Sequence, residues 1–285
     1  MAQSVALLAT CWTTAGSAGP LIDNDFSEFS LLERISAAAE AGYTGFGLLL
    51  EDLQVAEKTV GWTQVRDHLR SSGIEHIEIE MLNDWFRSGP ERVKSDQDRR
   101  YLLRAARFFR PRHVKVGGSI DLSERFSPEL YGRALSWVCD DFAEVGCAVA
   151  FELMPHGVVD TIEKGVAMID VANRPNAGLM LDLWHLTRSP STIGDIAALP
   201  GHYITGVELD DGPLEPVRGD DLLYETLHDR KLPGEGEMDV AGFVAAVRAT
   251  GFNGPWGVEM ISDEHRRRGL AEQARESFRT ARSFL

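Results

Sequence analysis

Short apolar and β-branched runs recur along the chain, separated by longer segments whose apolar positions fall at helical spacing. The runs that read as strands are Val5–Thr10, Thr44–Leu49, His76–Met81, His113–Val116, Cys147–Leu153, Gly178–Leu183, Tyr203–Leu209 and Trp256–Met260. Leu31–Ala41, Pro128–Val145 and Val240–Thr250 carry the period of amphipathic helices. Two of these stop at Ala41-Gly42 and Val145-Gly146, where glycine can take the left-handed conformation that ends a helix. Eight strands alternating with helices, at intervals of about 35 residues, is the rhythm of a (β/α)8, or TIM, barrel. An open doubly wound sheet competes, but no strand is followed by a GxGxxG turn. No linker divides the chain, so residues 1–285 are expected to form one barrel domain. Asp210 to Met238 shows no regular pattern and is expected to be a long irregular lid over the C-terminal face, where barrels carry their sites.

Composition narrows the partners. A chain of 285 residues that is 44% hydrophobic can bury a large core without staples. A formal net charge of −15 argues against nucleic acid, whose binding rests on Lys and Arg neutralising phosphates. The one dense basic run, His265-Arg266-Arg267-Arg268, reads as a solvated helix start. No apolar stretch is long enough to cross a membrane. Leu7-Leu8-Ala9-Thr10-Cys11 lacks the basic n-region and apolar length of a lipoprotein signal and reads as the first strand. Three cysteines without paired spacing imply neither a disulfide framework nor a cysteine zinc site, and a cytoplasmic protein is expected.

Four acids then change the picture. Glu152, Asp182, Glu208 and Glu259 stand at or near the ends of the last four strands, each among apolar neighbours. An unpaired charge there is costly, and period-2 alternation lets each side chain point into the barrel mouth. Four such acids without four matching basic residues point to a bound cation. An all-carboxylate set suits Mg2+, Mn2+ or Ca2+, and one divalent ion is expected, Mn2+ first, with Mg2+ or Co2+ as alternatives. The competing reading of Glu208 is that it turns away to pair with Arg230 or His185.

With Glu152 and the acids of the last two strands stand the Asp182-Leu183-Trp184-His185 motif, the Arg230-Lys231-Leu232-Pro233-Gly234-Glu235-Gly236 turn and the Trp256-Gly257-Val258-Glu259 strand. Together, and in this order, they resemble the sugar-phosphate isomerase/epimerase family of xylose-isomerase-like barrels. That family includes ketose 3-epimerases, hydroxypyruvate isomerases, inosose isomerases and dehydratases, and apurinic endonucleases. The resemblance implies that Glu152 and Glu259 bind the metal and move protons, that Asp182 is a ligand, and that His185 and Arg230 contact substrate oxygens. Two positions depart from the pattern. Relatives carry His or Gln where this chain has Glu208. The acid that ketose 3-epimerases place after the fifth-strand glutamate is absent, with Val158 near its place.

Such a set suits proton abstraction beside a carbonyl. A Lewis acid stabilises the enediolate charge as it forms, and carboxylates on opposite faces take and return the proton. Return to the same carbon epimerises, delivery to the next carbon isomerises, and loss of a β-hydroxyl dehydrates. The expected function is a metal-dependent isomerase or epimerase of a sugar, inosose or hydroxy-ketone, with a lyase acting by elimination as the alternative. Its partner is a small sugar-like molecule, and a homo-oligomer is compatible with the sequence. An endonuclease is disfavoured by the acidic charge and by eight histidines, too few for a multi-zinc cluster. A non-catalytic sugar-binding barrel is disfavoured by the intact acid pair. Trp12, Trp85 and Trp184 follow strands and could wall a sugar ring, although each also reads as core. His156 and His228 are loop histidines that either reach the pocket or stay solvated. Asp210 shares strand parity with Glu208 and could support a ligand. Glu78 and Glu80 alternate with Ile77 and Ile79, and Glu80 is the better pocket candidate. Gly234 and Gly236 read as turn glycines, and Cys11 as a small buried hydrophobe.

Overall fold

A computed structural model describes residues 5–24 and 26–285. Each apolar run forms a strand: β1 (Leu7–Ala9), β2 (Gly45–Leu49), β3 (His76–Leu82), β4 (His113–Val116), β5 (Ala148–Glu152), β6 (Ala177–Asp182), β7 (Ile204–Leu209) and β8 (Trp256–Val258). They pair in parallel, in sequence order, and β1 pairs with β8 to close the barrel, with Leu8 beside Gly257. Alternation divides each strand between two cores. Phe46, Ile79, Val114, Phe151, Leu181 and Val207 face the helices, where Ile35, Leu102, Leu135, Phe142 and Phe243 cover them. The opposite parity faces the barrel axis, and there the interior is polar towards its C-terminal end.

Local signals explain the helix bounds. The helix Leu31–Ala41 starts at Ser30, whose hydroxyl accepts from Glu33 N while the Glu33 carboxylate accepts from Ser30 N. It ends at Gly42, with φ of 113°. The helix from Pro128 ends at Ala143, two residues short of the expected Val145, and the turn to β5 follows at Gly146. The stretch from Asp210 to Met238 is not irregular throughout. It contains the helix Leu222–His228, capped by Asp221, and an antiparallel bridge between Asp211 and Lys231. The buried Asp211 carboxylate organises what remains, accepting from the backbone N–H groups of Gly212, Gly234, Gly236 and Met238. Among the described residues, no helix is long and apolar enough to cross a membrane.

Candidate metal centre

Glu152 and Asp182 are the last residues of β5 and β6, and Glu259 directly follows β8. All three are buried at the barrel mouth. With His185 they form a group whose donor atoms all lie within 4.8 Å of one another. The spacing in Asp182-Leu183-Trp184-His185 has a plain cause. Asp182 caps the short helix Leu183–Arg188, its Oδ1 accepting from His185 N at 2.7 Å, so the cap places the imidazole beside the carboxylate. His185 Nε2 lies 3.4 Å from Glu152 Oε1, and its buried Nδ1 has no hydrogen-bond partner. His185, expected to bind substrate, therefore stands among the potential ligands.

Two buried cations share these acids. Arg230 Nη1 lies 2.5 Å from Asp210 Oδ2, 2.8 Å from Asp182 Oδ2 and 3.2 Å from Glu259 Oε2. Thr226 holds the same guanidinium through Oγ1, and Trp184 lies against it. Asp210, which could support a ligand, accepts from Arg230 Nη1 and from Trp184 N. Lys115, which no sequence motif marks, reaches up from β4. Its Nζ is 2.7 Å from Glu208 Oε1, 3.0 Å from Glu259 Oε1 and 3.1 Å from Glu80 Oε2. Of the expected ligands, the structure brings Glu152, Asp182 and Glu259 together. Glu208 lies outside the group of four, drawn towards Lys115 rather than towards Arg230 or His185, and His185 stands in the group instead.

Six buried carboxylates (Glu80, Glu152, Asp182, Glu208, Asp210 and Glu259) thus meet two permanent cations, Lys115 and Arg230. The surplus is relieved by protons or by a metal. Burial resists the ionisation of Glu152, yet Lys115 and His185 hold its carboxyl down at about 2. Burial likewise opposes Asp182, and Arg230 and His185 outweigh it, lowering the group. Glu208 is raised well above the carboxylate range by burial and by Glu259. Asp210 is raised by burial and by Asp182, and Glu259 by burial that Lys115 and Arg230 only partly offset. The donor set fits a divalent ion: two ionised carboxylates, a third shared with the two cations, and an imidazole with a free buried nitrogen.

A cavity of about 550 Å³ opens onto this group. Glu80, Glu152, His156, His185, Arg230 and Glu259 supply part of its polar lining, and Trp12 and Phe26 part of its apolar wall. Of the three tryptophans, Trp12 alone reaches it. Trp85 is buried behind, its indole N–H donating to Gly117 O and its ring packed on Phe86, Tyr131 and Phe151. Trp184 lies fully buried under Arg230. His156 faces the cavity 5.7 Å from the His185 ring, and burial pushes it down to about 3, so it is neutral. His228 points away to Asp263. Glu78 sits deeper, paired with His113. Cys11 is fully buried.

The sequence pattern of the xylose isomerase-like TIM barrel family matches residues 35–283. The chain belongs to that family. A 3-dehydroshikimate dehydratase of Pseudomonas putida is 28% identical over 261 residues, which is 88% of this chain and 39% of that protein. The chain therefore spans about two fifths of the length of this relative. An inosose isomerase of Bacillus subtilis is 30% identical over 128 residues, 44% of each chain. Among solved structures, the IOLI protein with a bound zinc atom superposes with a TM-score of 0.80 at 19% identity, covering 98% of this chain and 99% of that one. The two relatives are enzymes, a dehydratase and an isomerase, and the solved structure shares the barrel.

Proposed function

We propose that the protein is a divalent-metal-dependent lyase that removes water from a hydroxy-ketone of the 3-dehydroshikimate type. The observation that carries this reading is the match to a dehydratase along 88% of the chain, against 44% for the isomerase. It reverses the order expected from sequence, in which isomerisation led. Isomerisation or epimerisation of an inosose-like ketone is the second reading, favoured by the inosose isomerase match and by the paired glutamates.

The chemistry asks for a base beside a carbonyl and an acid beside a leaving hydroxyl. Glu152, held ionised, is the base that takes the carbon-bound proton. Glu259, the second carboxyl of the pair, delivers the proton to the departing hydroxyl. The C–H electron pair becomes the new C=C bond as the C–O bond breaks, and water leaves. A divalent ion held by Glu152, Asp182, His185 and Glu259 would polarise the substrate carbonyl. One imidazole among three carboxylates widens the choice beyond the oxygen-preferring ions, so Mn2+ is proposed with Co2+ and Zn2+ as competitors. Arg230, at the cavity wall, orients substrate oxygens, and Trp12 supplies an apolar surface for the ring.

Incubating the metal-loaded protein in D2O with 3-dehydroshikimate and with inososes separates the readings. Product lighter by one water is expected. Deuterium entering a product of unchanged skeleton would favour the isomerase, and neither outcome with any hydroxy-ketone would overturn both.

A further inference from the structure

Lys115 has no part in the proton transfers above, yet its charge is fully enclosed. It sits on β4 with inward parity, 0% exposed, under the centre of the site. An ammonium has three N–H donors, and three carboxylates, from β3, β7 and the end of β8, surround it within 3.1 Å. Glu208 is the unusual member. It pairs across the sheet with Asp182 on one side and Gly257 on the other, between the strands that carry two potential ligands. The missing side chain at Gly257 gives it room, because a Cβ there would lie 2.8 Å from Glu208 Cγ. Although fully buried, neither of its oxygens has a hydrogen-bond partner. The approach of Lys115 is close in distance but off the direction of a hydrogen bond. A buried carboxyl without a directed partner is costly, and Lys115, 2.7 Å away, is the cation it lies against.

We infer that Lys115 is a positioning residue that selects the metal. By drawing Glu208 away from Asp182, it keeps a fourth carboxylate out of the coordination shell and leaves that place to His185. The inference rests on the metal-dependent reading. It implies that the choice between an oxygen-preferring ion and one that accepts nitrogen is written at Lys115, in a residue that touches no ion.

The test compares the wild type with Glu208→Gln, Lys115→Met and the double variant. Dissociation constants for Mn2+ and Zn2+ come from chelator competition, and the spectrum of bound Mn2+ from electron paramagnetic resonance. Glu208→Gln keeps the shape of the side chain and should leave both affinities within about twofold, well short of the 10–100-fold loss that follows removal of a group supporting the metal. Lys115→Met frees Glu208 and should shift the preference by about tenfold towards Mn2+, with an altered spectrum. The double variant should lose that shift. A tenfold weaker Mn2+ site in Glu208→Gln alone would show that Glu208 already binds or supports the ion and would overturn the inference, even if Lys115→Met fails to fold. An unchanged Mn2+/Zn2+ ratio in folded Lys115→Met would do the same. A wild type that takes up neither ion would overturn the metal-dependent reading itself, which the variants do not test.

Discussion

Glu152 and Glu259 sit in the same cavity with opposite shifts, one carboxyl lowered to about 2 and the other raised. Glu152→Gln and Glu259→Gln should each lower turnover by roughly 10²–10⁴-fold, the contribution of a positioned acid or base. Metal content measured on the same samples separates lost chemistry from lost metal, and near-normal rates in both metallated variants would remove them from the mechanism. Arg230→Ala should behave differently. It strands Asp182, Asp210 and Glu259 without their shared cation, and removing one partner of a buried pair costs about 3–5 kcal/mol, visible as a lower denaturation midpoint. The acids could be read from sequence because each ends an apolar strand, where a charge needs a reason. Lys115 could not, since one lysine in a four-residue strand looks solvated. Only its shared parity with His113 hints that it faces inward. Nor could sequence orient Glu208, Trp85 or Trp184. A strand end locates a side chain at the mouth, but its rotamer depends on partners from distant strands, as Lys115 on β4 does for Glu208 on β7.

At the scale of elements, the turn after Arg230 depends on Asp211 and on two glycines. A Cβ at Gly236 would lie 2.3 Å from Asp211 Oδ1 and 2.5 Å from Gly212 O. Gly236→Ala should therefore open the turn, costing about 1–3 kcal/mol as overpacking does, and raise KM through misplaced Arg230. Gly269→Ala, with nothing within 4 Å, is the control and should stay within about 0.5 kcal/mol of the wild type in urea. A second element-level tie is His265, whose Nε2 donates to Thr13 O at 2.9 Å and joins the segment after β8 to the loop after β1. Burial depresses this histidine from 6.5 to about 4. The unfolded chain thus binds more protons between these values. Stability is complete above pH about 6.5 and falls as pH drops towards 4, by on the order of 3 kcal/mol from this group. His156, depressed for the same reason, adds to the slope. His265→Gln should reduce the pH dependence of the urea midpoint without abolishing it, and an unchanged slope would rule His265 out. Helix ends marked by glycine were legible in the chain. The helix Leu222–His228 was not, because seven residues are too few to show a period and its surroundings, not its pattern, hold it.

For the whole molecule, the surplus of buried negative charge makes stability depend on the metal. An ion that binds the folded state alone stabilises it by about 2.7 kcal/mol at a hundred times its Kd. Stripping with a chelator should lower Tm, and Tm should then climb with added Mn2+ or Zn2+. A Tm indifferent to both would show that Lys115, Arg230 and bound protons balance the site by themselves. The closed sheet has a different consequence, in time rather than energy. Where β1 meets β8, Met260 N donates to Thr13 Oγ1 across 247 residues of chain. Contacts so remote in sequence carry the largest loop-closure cost and form late. During synthesis, β1 can pair with β2 on one side only, and its other edge waits until β8 emerges. The seam that makes the finished barrel edgeless is thus also the edge that a growing chain leaves open longest, and the one a chaperone has most reason to cover.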